Sequence, residues 1–287
     1  MDKTLDKTMA TTETTKQEKI SLLTGAAGGI GREIARLLDH EGYRQILVDL
    51  NEEKLNSVAS ELSIAPHCIV SNITDVRNVA SIREQVQSRF GRLDVLVNNA
   101  GVIMTTPFDE AHYDEIDREY SVNYRAVLHF MREFIPVMKR QKSGNIVTIS
   151  SLGGILPLKE APGYCGSKFG VRGFMLAQNI ALRRHGITVS TIYPTAIDTP
   201  MLEHEALHGG SLLNFVSDPL KPVQVAQAVI RAIKKRKMEI AVPTSEGYLC
   251  KFLGFFPGVI PAVLPFVERI ADRNRLKYIK RKGLAPM

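Results

Sequence analysis

Short apolar runs recur along the chain, and most are separated by enough residues for a crossover helix. The pattern predicts strands over Ile20 to Leu23, Gln45 to Leu50, His67 to Val70, Leu93 to Val97, Asn145 to Ile149, Thr188 to Ile192 and Glu239 to Val242. The sixth is expected to stop at Pro194 and the seventh at Pro243. After the first run the period changes from strand-like to helical: Ile30, Ile34, Leu37 and Leu38 share one face of a helix. Apolar strands alternating with helices imply an α/β domain, a doubly wound parallel sheet of about seven strands with helices on both faces.

The composition does not break before about residue 245, and no segment repeats. Three regions are therefore expected: a disordered tail over residues 1–18, one domain over 19–245, and an extension over 246–287. The tail is polar and holds no apolar core of a secretory signal. A transit peptide fits it less well, because Asp2, Asp6, Glu13 and Glu18 are acidic and Arg is absent.

Charge changes the picture only at one end. The whole chain carries a net charge of +7, yet from Arg231 onward 13 basic residues face 4 acidic ones. The basicity belongs to the C-terminal region, which argues against a nucleic-acid-binding protein. Cys68, Cys165 and Cys250 are scattered without a CxxC pair. That spacing fits neither a disulfide framework nor a zinc site, and it suits a reducing, cytoplasmic compartment.

Candidate chemistry begins at the end of the first strand. Thr24-Gly25-Ala26-Ala27-Gly28-Gly29-Ile30-Gly31 joins it to the first helix. Glycines there let the backbone approach a pyrophosphate, and the unpaired N–H groups of the helix start suit an anion. With an acid at the end of the next strand, the context is that of a Rossmann-type dinucleotide site. Asp49 is placed to accept hydrogen bonds from ribose hydroxyls. A 2′-phosphate would meet like charge, and Leu50 and Asn51 bring no compensating cation, which predicts NAD in preference to NADP.

Tyr164 and Lys168 are four residues apart, on one face of a helix. An ammonium near the phenol favours phenolate and would make Tyr164 a usable base. Ser151, ending the fifth strand, is placed to hydrogen-bond a substrate oxygen.

Together the pieces are Thr24-Gly25-x-x-x-Gly29-x-Gly31, Asn98-Asn99-Ala100-Gly101, Asn123, Ser151, Tyr164-x-x-x-Lys168, and Pro194 through Thr199-Pro200-Met201. In these, from about Lys19 to Pro243, the chain resembles the short-chain dehydrogenase/reductase family, in its NAD(P)-dependent main branch. The resemblance implies an oxidoreductase with a Ser151–Tyr164–Lys168 centre supported by Asn123. Tyr164 would exchange the proton of the reacting alcohol. Ser151 would hold the substrate oxygen, and Lys168 would bind the nicotinamide ribose. Asn123 would position a water leading protons out. Cofactor contacts would come from Thr24, Gly25, Gly29, Ile30, Gly31, Asp49, Asn72, Ile73, Asn98, Asn99, Ala100, Gly101, Tyr164, Lys168, Pro194, Ile197 and Thr199. No metal is implied. Two positions depart from the family pattern: Asn72 stands where Asp is frequent, and Thr195 follows the proline where Gly is usual. Relatives commonly pair through the helices carrying Asn123 and Tyr164, which implies a homodimer or homotetramer.

His204-Glu205-Ala206-Leu207-His208 matches the zinc-protease pattern HExxH. Gly209-Gly210 follow at once and no further ligand is evident, so the segment is expected to be a polar turn of a lid helix with substrate contact open to it.

Phe252 to Val267 carries no charge, is interrupted by Pro257, Pro261 and Pro265, and is followed by many basic residues. It is shorter than the ~20 residues a spanning helix needs. Insertion into one leaflet beneath anionic headgroups fits this composition, and so does a hydrophobic lid over the active site or a partner subunit. Family members with similar tails act on steroids, retinoids or other lipid alcohols. The expected function is therefore NAD(H)-dependent interconversion of a lipophilic secondary alcohol and its ketone or aldehyde, with peripheral membrane contact through 246–287. An NAD(P)H-dependent ketoreductase of acyl or polyketide-like substrates is the alternative within the enzyme class. A non-catalytic, cofactor-binding, membrane-associated scaffold is the alternative outside it, and the complete Ser151, Tyr164 and Lys168 set favours the enzyme.

Overall fold

The computed structural model describes residues 18–284. Most of the expected tail, residues 1–17, lies outside the described residues. In chain order the elements are β1 (Lys19–Thr24), α1 (Gly29–His40), β2 (Tyr43–Asp49), α2 (Glu52–Ala59), β3 (His67–Val70), α3 (Val76–Phe90), β4 (Val95–Asn98), α4 (Tyr113–Tyr120), α5 (Ala126–Gln141), β5 (Gly144–Ile149), α6 (Pro162–Leu182), β6 (Ile187–Pro194), α7 (Pro200–His208), α8 (Pro222–Lys235), β7 (Glu239–Val242), α9 (Thr244–Gly254) and α10 (Ile260–Lys282). The strands form one seven-stranded sheet in the order β3-β2-β1-β4-β5-β6-β7. Every pairing is parallel, giving the expected Rossmann-like α/β architecture.

Strand alternation divides the core. Leu22, Ile46, Leu96 and Ile146 face α3, α5 and α6, where they meet Val79, Phe130, Phe134 and Met175. Their neighbours Leu23, Leu47, Val97 and Val147 face the other way, onto Ile34, Leu38, Leu55 and Val229 of α1, α2 and α8. Successive side chains point to opposite faces, so a strand covered on both faces reads as a largely apolar run. β6 is buried along its whole length, its small hydroxyl residues Thr188, Ser190 and Thr191 included.

Strand ends depart from the apolar pattern for identifiable reasons. β4 begins at Val95; just before it, Asp94 donates its N–H to Ile20 O at 2.8 Å and its carboxylate accepts the Ile20 N–H at 2.8 Å. β6 runs through Pro194, two residues beyond the expected end. The missing proline N–H is not needed there, because the next N–H, of Thr195, donates to Val242 O at 2.9 Å. β2 stops at Asp49, leaving Leu50 exposed.

The C-terminal extension forms two helices joined by a short 3₁₀ turn at Pro257–Val259. Pro261 lies in the first turn of α10, where a missing N–H costs little. The second half of α10 is anchored. Ala271 and Tyr278 pack with Leu202, Ala206 and Phe215 in a small third core. The Tyr278 hydroxyl donates to Asp198 at 2.8 Å, and Lys282 pairs with Asp198 at 2.7 Å and Glu203 at 3.1 Å.

α9 is tied to the sheet edge by Glu239. Its carboxylate accepts from Tyr193 Oη at 2.8 Å, Arg172 Nε at 3.1 Å and Lys251 Nζ at 2.6 Å. Burial alone would raise this carboxyl, but the bonds from Lys251, Tyr193 and Arg172 outweigh it and hold it below its ordinary value. The stabilisation is thus present above the usual glutamate range and is lost as pH falls through the lowered folded-state value. Glu239→Ala should cost about 1–2 kcal/mol at neutral pH, since Arg172 and Lys251 keep partial access to water. Urea unfolding should show this cost narrowing when the comparison is repeated in acid.

Candidate active site

The carboxyl ends of β1 and β4 adjoin at the centre of the sheet, and their loops clasp each other. Thr24 Oγ1 accepts from the N–H groups of Asn99 at 3.1 Å and Ala100 at 3.3 Å. The Asn99 amide donates to Thr24 O at 3.2 Å and Gly25 O at 2.9 Å. Gly25 has φ +64°, and a Cβ there would lie 2.7 Å from Ala100 Cα. A Cβ on Gly31 would lie 2.1 Å from Gly25 O. α1 starts at Gly29 with Gly28 before it and no side-chain cap, so its first N–H groups are left for an anion. A cradle without Cβ atoms and with free N–H donors fits a dinucleotide pyrophosphate.

Asp49 lies beside this loop. Its carboxylate accepts from the N–H of Ala27 at 2.9 Å and of Asn51 at 3.1 Å, one bond per oxygen, so each oxygen keeps acceptor capacity. Asn72 Oδ1 accepts from the Thr74 N–H at 3.0 Å and hydroxyl at 2.8 Å, which shapes the loop after β3, and Ile73 is buried there. Thr199 precedes α7, and a Cβ on Gly29 would come within 3.3 Å of its methyl group. Ile197 pairs with Leu220 in an isolated bridge. Pro194, Ile197 and Thr199 share one cavity wall with Ile30, Asn99 and Gly101.

Ser151, Tyr164, Lys168 and Asn123 are brought together beyond β5. Ser151 follows β5 directly, and its Oγ accepts the Gly153 N–H at 3.0 Å. Its neighbour Ser150 turns into the protein and donates to Lys168 O at 3.4 Å. Lys168 Nζ sits 5.4 Å from the centroid of the Tyr164 ring and donates to Ile149 O at 3.4 Å. Asn123 lies in a π-helical turn, Ser121–Arg125, between α4 and α5. Such turns displace a side chain from regular helical register. The Asn123 amide clamps Val102, accepting its N–H at 2.9 Å and donating to its carbonyl at 2.8 Å, and also reaches Ser167 Oγ at 3.3 Å.

Burial dominates the electrostatics. It pushes the Tyr164 phenol up, while a hydrogen bond with Ser151 pulls it back and the charge on Glu205 raises it further. Desolvation therefore outweighs the lowering expected from the neighbouring ammonium. Burial pulls the Lys168 ammonium down to about 8, and the charge on Glu119 opposes that fall.

Two acids escaped the sequence analysis as site residues. Glu119 on α4 is almost wholly buried and accepts the Met104 N–H at 2.9 Å. Burial raises its carboxyl, against the Met104 bond and the Lys168 charge. Its place one helical turn before Asn123 was the available signal. Glu205 is the central acid of the HExxH segment, and instead of facing water it is buried in the active-site cavity. His204 and His208 stay at the surface with rings stacked 4.2 Å apart. Among the described residues no group of three or more His, Cys, Asp or Glu is placed to hold a metal.

The cavity, about 400 Å³, runs from the catalytic group to the C-terminal extension. Leu253 of α9 and Ile260, Leu264 and Val267 of α10 line its far wall. The three α10 residues share one helical face. The extension is thus a roof of the site, one of the two arrangements its composition allowed.

Burial pushes the Glu205 carboxyl up to about 7 from 4.5, moderated by its bond from Asn214. A raised carboxyl favours folding below its ordinary value and loses that advantage as pH rises through about 7. Glu205→Gln should therefore unfold like the parent at pH ~5 and be more stable at pH ~8 by about 3 kcal/mol, read as a widening gap in thermal unfolding.

Comparison with known proteins places the chain. Residues 19–208 match the short chain dehydrogenase family. An uncharacterised oxidoreductase of Bacillus subtilis (strain 168) is 34% identical over 192 residues, 66% of this chain and 75% of that protein. A metagenomic short-chain oxidoreductase in complex with NADP superposes with a TM-score of 0.66 at 29% identity, over 78% of this chain and 94% of its own. The 3-ketoacyl-(acyl-carrier-protein) reductase of Brucella melitensis, complexed with NADH, does so with a TM-score of 0.71 at 26% identity, over 78% and 96%. The chain is a dehydrogenase or reductase and belongs to the short-chain dehydrogenase family.

Proposed function

We propose that the protein interconverts a lipophilic secondary alcohol and its carbonyl compound, with NAD as hydride partner. The observation that carries this is the cavity itself, in which Ser151 and Tyr164 meet an apolar wall of Leu253, Ile260, Leu264 and Val267. A bound nicotinamide supplies hydride transfer. Thr24, Gly25, Gly29 to Gly31, Asn99 to Gly101, Pro194, Ile197 and Thr199 would hold the dinucleotide, with Asn72 and Ile73 beside its adenine. Ser151 holds the substrate oxygen by hydrogen bond. Tyr164 takes the alcohol proton at its phenol oxygen in oxidation and returns it in reduction. Lys168 holds positive charge beside that phenol and offers N–H donors to ribose hydroxyls, while Asn123 fixes the loop at Val102. Water is kept from the reacting carbon by the apolar roof.

Asp49 supports NAD, since both its oxygens retain acceptor capacity for ribose hydroxyls and would repel a 2′-phosphate. The Brucella relative's name supports a second substrate class, acyl-chain ketones, for the same chemistry. The exposed Phe169 and Ile180 on α6 support self-association through that helix, as a homodimer or homotetramer.

The extension's outer face supports peripheral contact with an anionic bilayer. Phe252, Phe255, Phe256 and Phe266 are exposed there, and Arg269, Arg273, Lys277 and Lys280 are exposed along α10. Among the described residues no single helix is long and apolar enough to span, and the bent α9–α10 pair turns by 97°.

Absorbance at the NADH band, with hydroxysteroids, retinol, long-chain secondary alcohols and polyols, tests the reaction. Lipophilic alcohols should turn over with NAD, Tyr164→Phe should lose about 10²–10⁴-fold in kcat/KM, and Asp49→Ser should gain activity with NADP. A preference for polyols would sink the substrate assignment. Flotation with phosphatidylserine vesicles should recover the protein, with recovery falling in Phe255→Asp/Phe266→Asp. Equal recovery of parent and variant would remove the membrane assignment.

A further inference from the structure

We infer that Glu205 is a recognition group for a hydrogen-bond donor on the substrate, so that the favoured substrate is an apolar alcohol carrying a second hydroxyl away from the reacting carbon. The inference rests on the function proposed above and narrows its substrate class.

Glu205 sits on α7, 6% exposed, and lines the same cavity as Tyr164. Its surroundings on α7 and after it are apolar: Leu202, Ala206 and Leu213. One carboxylate oxygen, Oε2, accepts from Asn214 Nδ2 at 2.7 Å. Oε1 has no hydrogen bond from any described residue. A buried carboxylate with one oxygen unpartnered costs stability that an apolar residue of similar size would not.

The local backbone is shaped around this acid. Gly210 donates its N–H to Glu205 O at 2.9 Å. A Cβ on Gly210 would fall 2.3 Å from Glu205 Cβ and 2.9 Å from Oε2. Glycine at this position lets the chain fold back over the carboxylate, and Asn214, which also lines the cavity, fixes its orientation. Assistance to Tyr164 does not explain the placement, because the Glu205 charge disfavours phenolate. A donor on the substrate would supply the partner that Oε1 lacks. Sites built to hydrogen-bond a hydroxyl discriminate strongly against analogues without it.

The test uses apolar secondary alcohols in matched sets: a diol, its mono-methyl ether at the second oxygen, and the deoxy compound, at increasing carbon spacings. Steady-state kinetics with NAD and calorimetric binding in saturating NADH are measured at pH ~8.5, where the carboxylate is ionised. At one spacing or more the diol should exceed its ether and deoxy partners by about tenfold or more in kcat/KM and in affinity. Glu205→Leu should erase that preference, and Glu205→Gln, which keeps an acceptor, should retain part of it. If Glu205→Leu does not fold, a Glu205→Gln variant with undiminished preference overturns the inference. No preference at any spacing in the parent, or a preference that survives in Glu205→Leu, also overturns it. A diol preference in binding without turnover would keep the role of Glu205 and remove the proposed reaction. Absence of both binding and turnover across the sets would remove both.

Discussion

The clasp between the loops after β1 and β4 is the constraint on which the site depends. Parallel strands buried on both faces leave their polar chemistry to the ends, and at the centre of this sheet two ends must share one small space. Thr24 and Asn99 tie the loops through four hydrogen bonds, and Gly25 lets the backbones approach until a Cβ would collide with Ala100. That approach fixes the start of α1 and its free N–H groups. It also sets the position of Gly101, where a Cβ would lie 3.4 Å from Asn123 Oδ1 and 3.5 Å from Lys168 Nζ. The glycine-rich end of the crevice and the end holding Ser151, Tyr164 and Lys168 are thus held by one set of backbone contacts.

Within that frame the catalytic group works against burial. Lys168 is 4% exposed; burial pulls its ammonium down to about 8, and Glu119 on α4 supplies an opposing charge. Asn123 is locked to Val102 and spans to Ser167 on the catalytic helix, joining the π-helical turn to α6. The charge that opposes the burial of Lys168 thus comes from an acid more than forty residues away in sequence.

The recurrence of apolar runs made the sheet legible, because the inner strands are buried over most of their length. β3 and β7 fall where the apolar runs place them. The ends of β2, β4 and β6 do not: β2 stops at Asp49, β4 runs from Val95 to Asn98, and β6 continues through Pro194. The Ser151, Tyr164 and Lys168 group was legible because its spacings are local. Glu119 was not, since its one mark in the sequence, a place one helical turn before Asn123, does not tell a buried glutamate from an exposed one. Glu205 was visible only as part of HExxH, and the helical pattern of α7 could not say which face meets the cavity. That is decided by α10, which packs against Leu202 and Ala206 through Ala271 and Tyr278.

The charges of the basic C-terminal region consequently divide into two sets. Part of its charge is consumed inside the molecule: Lys282 pairs with Asp198 and Glu203, Arg275 donates to Ala206 O, and Lys251 pairs with Glu239. These contacts seat α7, α9 and α10 around the cavity, so they decide the shape of the substrate space. Arg269, Arg273, Lys277 and Lys280 instead remain on the exposed surface of α10, continuous with the exposed phenylalanines before them. The same helix therefore turns an apolar face of Ile260, Leu264 and Val267 toward the reacting group and a cationic, aromatic surface outward. A helix apolar on its inner face alone would be a sufficient lid. The outward aromatics forgo part of the burial energy, roughly 1.5–3 kcal/mol for a whole side chain, while they face water.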